Sequence, residues 1–286
     1  MNTRKTELVI SGSNQKPILV DVCYNLSSEK QPVILYAHGF NGFKDWGNFD
    51  LIAQQFVMAG FTFVKFNFSH NGTSPEHPQD FVDLEAFGQN NYTKQLFDLG
   101  QVLSWLCDKH QQLAKFIDVN NIGLIGHSMG GGISIIKTSE DERIKALCTW
   151  ASIAQCKTPW GSWDENKMKE WASTGLQHYA NSRTQQQMPL YYQLYLDYKN
   201  NMQRLDILSA AAGITVPFLI CHGSDDTSVS IHNAHQLQAS NTAAQLFTVA
   251  SDHVFGRKHP WLGSALPEAM QAVVDKSISF FKQALL

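Results

Sequence analysis

The sequence predicts an α/β fold with a mostly parallel sheet of about eight strands, helices on both faces and a helical cap insertion. Three observations carry that reading. Strand-like runs alternate with amphipathic, helix-like segments over most of the 286 residues. Several runs are continuously apolar, as strands buried on both faces of a parallel sheet are. One stretch, 156–212, breaks the rhythm and is too long for a simple loop.

Along the chain, 6–12 and 17–25 read as short strands joined through Gly12-Ser13-Asn14 as a hairpin. Segments 32–37 and 61–68 are apolar strands, separated by a helical pattern over 46–59 that Gly60 ends. Residues 91–113 form a long amphipathic helix with Leu96, Leu99, Leu103 and Leu106 at helical spacing. Segment 121–126 is a strand and 129–139 a helix. Strands follow at 144–150, 217–221 and 245–250, and an amphipathic helix spans 267–286. The core is therefore 1–155 with 213–286, interrupted by 156–212. That insertion is polar, holds Trp160, Trp163 and Trp171 with five of the eight tyrosines, and is expected to fold over the sheet's edge.

The composition is that of a soluble globular protein, 43% hydrophobic and 16% charged, large enough to bury a core without covalent staples. A net charge of −3 with scattered lysines and arginines gives no field for nucleic acid or an anionic membrane. No run approaches the roughly 18 apolar residues of a membrane span. The first residues, MNTRKTELV, lead into no apolar signal segment, so a cytoplasmic location is expected. Cys23, Cys107, Cys148, Cys156 and Cys221 are widely spaced, which points to free thiols in a reducing compartment. No Cys/His cluster has metal-ligand spacing, so neither metal nor cofactor is expected.

The strongest chemical signal is Gly126-His127-Ser128-Met129-Gly130, because it follows an apolar strand and opens a helix. In that context a tight turn lifts the Ser128 hydroxyl into a pocket, beside a helix N-terminus that favours negative charge. A serine nucleophile needs a base, and the base needs an orienting carboxylate. The acid should follow a late strand. Asp225 and Asp226 compete there, in His222-Gly223-Ser224-Asp225-Asp226, and the spacing favours Asp226. The base should lie beyond the last strand; His253 does, and His259 sits further on, before Pro260.

An oxyanion hole needs two backbone N–H groups, for which Met129 and Phe40 are the candidates, Gly39 allowing the second turn. His38 and His127 are expected to pack around the pocket rather than act as bases, and His222 to be structural. From the insertion, Trp160, Trp163 and Tyr191 are candidates for lining the pocket.

Together His38-Gly39-Phe40, the Ser128 turn and His222-Gly223-Ser224-Asp225-Asp226 followed by His253 resemble the α/β-hydrolase superfamily over nearly the whole chain. The finer pattern looks like bacterial cinnamoyl/feruloyl esterases, and like dienelactone-hydrolase-like and serine-aminopeptidase-like relatives. Dienelactone hydrolases carry cysteine where this chain has Ser128. Many relatives begin the loop after the fourth strand with Asp, whereas here it begins at Asn67.

The resemblance implies a serine hydrolase that cleaves small carboxylic esters, short-chain or hydroxycinnamoyl, as a monomer or homodimer. The same three residues would also serve a peptidase, amidase or thioesterase, and a non-catalytic ligand-binding protein on the same scaffold is the reading from another class.

Overall fold

The computed structural model describes residues 3–26 and 29–286. In chain order the elements begin β1 (Thr3–Ser11), β2 (Pro17–Asn25), β3 (Gln31–Ala37), α1 (Phe49–Met58), β4 (Thr62–Asn67), α2 (Leu84–Gly88) and α3 (Tyr92–Leu106). Then come β5 (Ile117–His127), α4 (Met129–Glu140), β6 (Ile144–Trp150), α5 (Glu165–Thr174), β7 (Leu176–Ala180), β8 (Gln187–Tyr191) and α6 (Gln193–Asn200). The chain finishes with α7 (Ile207–Gly213), β9 (Phe218–Gly223), α8 (His232–Ser240), β10 (Gln245–Val249) and α9 (Glu268–Leu285).

Eight strands make one sheet in the order β1-β2-β4-β3-β5-β6-β9-β10. The β1–β2 and β2–β4 pairs are antiparallel and all others parallel. Strand β3 lies between β4 and β5, so the chain leaves β3 to one side and later returns to the other. Ligands bind outside the carboxyl ends of strands at such a reversal. Here those ends are Ala37 on β3 and His127 on β5.

The continuous apolar runs are explained by the two faces. On β3, Val33, Leu35 and Ala37 pack toward α3 and α4, while Ile34 and Tyr36 pack toward α1 and α9. Leu96, Leu99, Leu103 and Leu106 of α3 are all fully buried. Each such side chain stabilises the fold by roughly 1.5–3 kcal/mol.

Helix α3 stops at Leu106, short of the expected 113, because its polar tail satisfies the backbone in another way. Asp108 Oδ1 accepts from His110 N at 2.9 Å and Gln111 Oε1 from Leu113 N at 2.7 Å, turns that compete with helix.

Between β6 and β9 the chain carries helices and, in addition, an antiparallel two-stranded ribbon, β7 with β8. Its strands, Leu176–Ala180 and Gln187–Tyr191, are short and contain Pro189, so they give little strand signal. No helix among the described residues is long and apolar enough to cross a membrane.

Candidate active site

Ser128 sits between the end of β5 and the start of α4 with φ 57° and ψ −120°, a backbone conformation costly for a residue with a side chain. The turn is held from both sides, Ser128 N donating to Trp150 O at 2.9 Å and Gly131 N to Ser128 O at 2.9 Å. Close packing demands glycine next door. A Cβ on Gly130 would lie 2.3 Å from His38 O. A Cβ on Gly39 would lie 2.9 Å from Ser128 Cβ, so the loop after β3 is pressed directly against the serine.

That loop presents Phe40 N–H, and α4 opens with Met129 N–H. Among the described residues neither donates to another protein group, which leaves both available to a ligand oxygen. His38 steadies the loop. Its Nε2 accepts from Phe68 N at 3.3 Å, so Nδ1 carries the proton and donates to Gly39 O at 2.9 Å. Burial pulls His38 down to about 4, and the ring is neutral at neutral pH.

On the acid side, Asp226 is fixed by three hydrogen bonds and a close approach of His222. Its Oδ1 accepts from Ser228 N and Val229 N, both at 2.8 Å. Its Oδ2 accepts from His253 Nδ1 at 2.7 Å and lies 3.3 Å from His222 Nε2. Burial disfavours the charge, but the hydrogen bonds from His222 and His253 outweigh it and hold the carboxyl far below the usual carboxylate range. The Asp225 carboxylate, by contrast, is exposed and among the described residues accepts only from Ser224 Oγ, at 3.2 Å, so Asp226 is the residue joined to His253.

With Nδ1 bound to Asp226, His253 has Nε2 to offer the serine. Ser128 and His253 line the same cavity, of about 350 Å³, with no hydrogen bond closed between them among the described residues. Such contacts are commonly loose without substrate and tighten on binding.

His127 braces the base from behind. Its Nε2 donates to His253 O at 3.0 Å, and burial, with the nearby charge of His253, pushes its own titration well down. His222 has a larger part than the sequence indicates, since it touches the same Asp226 oxygen as His253 and donates to Val229 O at 2.8 Å. The signal for it was weak, a histidine before a glycine at a strand end.

Three candidates from the insertion fall elsewhere. Trp160 is buried within the insertion against Tyr92, Trp171 and Tyr198. Trp163 packs edge-on to Trp171, and Tyr191 donates from its hydroxyl to Glu85 Oε2 at 2.5 Å. Trp160 and Trp163 thus build the insertion's own small core and Tyr191 joins the insertion to α2, and none of the three forms the cavity wall.

What the insertion contributes to the cavity is the β7–β8 turn: Asn181, Ser182 and Arg183. Asn181 Nδ2 donates to Asn41 Oδ1 at 3.1 Å and so ties the turn to the loop carrying Phe40. The aromatic wall comes from the core instead, from Tyr36, Phe43, Trp46 and Phe49. No group of three or more His, Cys, Asp or Glu among the described residues is arranged to hold a metal ion.

Comparison with known proteins agrees with this architecture. The chain is similar over its whole length to the esterase domain of a Rhodothermus marinus protein, at 14% identity and a TM-score of 0.64, covering 100% of both chains. It is similar to Est1E from Butyrivibrio proteoclasticus, solved with ferulic acid bound, at 16% identity and a TM-score of 0.70, covering 97% and 98% of the two chains.

In sequence it matches the quorum-quenching protein AidA of Acinetobacter baumannii (strain MDR-ZJ06) at 27% identity over 125 residues. That match spans 44% of this chain and 35% of AidA. An uncharacterized 31.7 kDa Escherichia coli protein from the traX-finO intergenic region matches at 27% over 125 residues, 38% of its length. The curated relatives are thus matched over little more than a third of their length. The family model BD-FAE matches residues 20–240, most of the core and the whole insertion, and the chain belongs to this family of α/β-hydrolase esterases.

Proposed function

We propose that this protein is a serine carboxylesterase that works through an acyl-enzyme. The observation that carries the reading is a buried, ionised Asp226 bonded to His253 Nδ1 at 2.7 Å, with His253 and the strained Ser128 facing one cavity.

In this mechanism Ser128 Oγ attacks the ester carbonyl carbon while His253 Nε2 takes its proton. Asp226 keeps the imidazole in the right tautomer and balances its positive form. The carbonyl oxygen becomes an oxyanion held by the N–H groups of Phe40 and Met129, donors typically worth about 3–4 kcal/mol each. Collapse expels the alcohol, which receives the proton from His253 Nε2. Water then attacks the acyl-enzyme and gives its proton to His253, which passes it to Ser128 Oγ as the carboxylic acid is expelled.

Residues 156–212 serve in this reading as a cap that closes one side of the cavity with the β7–β8 turn. A cavity of about 350 Å³ with an aromatic wall suits short or single-ring acyl groups better than long chains.

Initial rates on p-nitrophenyl acetate, butyrate and octanoate and on methyl ferulate test this. Short and aromatic esters should be preferred, and Ser128→Ala should lower kcat by at least about 10³-fold with the fold intact. Undiminished turnover by Ser128→Ala would refute the assignment.

A further inference from the structure

The cavity beside Ser128 has an unbalanced charge. Among the described residues its lining includes Arg183, Arg257 and Lys258 but no aspartate or glutamate. Arg183 and Lys258 are exposed at the rim, where an unpaired cation is unremarkable in energetic terms. Arg257 is different, because only 4% of its surface is exposed. Its Nε donates to Val254 O at 2.8 Å, while Nη1 is buried with no hydrogen-bond partner among the described residues.

Among the described residues no carboxylate forms an ion pair with Arg257. Asp252 lies near enough to be felt electrostatically, yet it is exposed, and its Oδ1 is occupied by Val254 N and Gly256 N at 3.1 and 2.8 Å. The groups that face the guanidinium are the Tyr36 hydroxyl and the rings of Trp46 and Phe49, 5.5 and 4.9 Å from its carbon. Aromatic faces and a neutral hydroxyl hold a cation in place without neutralising it. A buried guanidinium lacking a carboxylate carries a desolvation penalty that a bound anion would relieve.

From this we infer that the substrate is an ester bearing a free carboxylate, which Arg257 pairs inside the cavity while Arg183 and Lys258 draw it in from the rim. The inference rests on the esterase reading for the identity of the reacting bond. The carboxylate is favoured over a more highly charged group because a single buried guanidinium offers one planar, two-pronged donor face. Its aromatic surroundings suit the carbon skeleton next to such a group.

Binding separates this inference from catalysis. Ser128→Ala is titrated calorimetrically with two matched pairs, one varying the acyl side and one the alcohol side. These are 4-nitrophenyl hemisuccinate against 4-nitrophenyl valerate, and 3-acetoxybenzoate against phenyl acetate. In at least one pair the anionic member should bind ten-fold or more tightly than the neutral one. That advantage should shrink at least ten-fold in Ser128→Ala/Arg257→Gln and weaken with added sodium chloride.

Equal binding in both pairs, or an advantage that survives Arg257→Gln, overturns the inference. Should the Arg257 variant not fold, the exposed Arg183→Gln and the salt dependence carry the test. A salt-independent preference unaffected by Arg183→Gln then counts against it. Failure of the esterase reading would show separately, as wild-type protein that binds these esters and hydrolyses none of them.

Discussion

Lys65 on β4 is wholly buried and meets Asp45 and Asp50 at 2.5 Å each, with Asp21 at 3.7 Å. Lys44 beside it pairs with Asp21 and Asp45 at 2.7 and 2.6 Å. Arg257, buried to a similar degree, has aromatic faces and a tyrosine hydroxyl instead of a carboxylate. In the first region the protein completes its own ionic network. In the second a buried cation is kept in place with no anion supplied. A buried charge that is internally matched speaks of structure, and one that is not speaks of a missing partner.

Unequal responses to replacement by methionine would sharpen that contrast most. Lys65→Met takes one of two buried cations from the buried pair Asp21 and Asp45, leaving Lys44 alone between them, and should cost about 3–5 kcal/mol of stability in urea unfolding. Arg257→Met removes a cation that no carboxylate balances and should change stability by less than about 1 kcal/mol. Equal losses in the two variants would erase the distinction between the regions.

Acid should act next most strongly, in two stages. His38 is held neutral by burial at about 4, so the unfolded chain takes up its proton first. Stability is then lost as pH falls from about 6.5 toward 4, by about 1.4 kcal/mol per unit of separation at most. Asp45 opposes its burial through Lys65 and Lys44 and is held at about 2, so its contribution is present above the ordinary carboxylate range and lost as pH falls toward 2. Melting temperature followed from pH 7 to 3 should decline from the upper limit, with the first stage reduced in His38→Gln and the remainder left to His127, His70 and His259, which are likewise held low. A curve with no decline above pH 4 would contradict the neutral, buried His38.

The smallest effect belongs to the surface. Lys169 and Glu165 pair at 2.7 Å on α5 with both side chains exposed. Lys169→Ala should change stability by less than about 0.5 kcal/mol, and a larger loss would mean that exposure does not separate this pair from the buried network.

The sequence made the sheet legible because parallel strands buried on both faces leave unbroken apolar runs, as at 32–37 and 61–68. Ser128 was legible for a related reason: its turn needs small neighbours at fixed spacing, and those are local demands. The choice of Asp226 over Asp225 depended on spacing in the sequence, and in the structure it is Asp226 that reaches His253.

What stayed hidden depends on contacts between distant segments. The run 61–68 contains Lys65, yet nothing in it announces partners contributed by residues 21, 45 and 50. Arg257 is one more charged residue in a loop until its burial is known. Trp160 and Trp163 misled because an aromatic-rich insertion fills its own interior before it can line anything else, and Tyr191 because its hydroxyl is taken by Glu85 on α2. The β7–β8 ribbon was missed because its strands are only five residues long, β7 has no clean alternation and β8 carries Pro189.

The insertion reaches the cavity through the first half of a single short turn, residues 181–186, whose first residue organises it. Asn181 Oδ1 accepts from Arg183 N and Thr184 N at 3.0 and 3.2 Å, and its amide nitrogen holds Asn41. Such a turn is a detachable unit of variation. Insertions, deletions or exchanges within it can alter the charge and width of the cavity mouth while the sheet, the serine turn and the acid–base pair stay as they are. Divergence in substrate preference among proteins built this way can therefore proceed by rewriting a handful of codons, with the folding core shielded from selection on specificity.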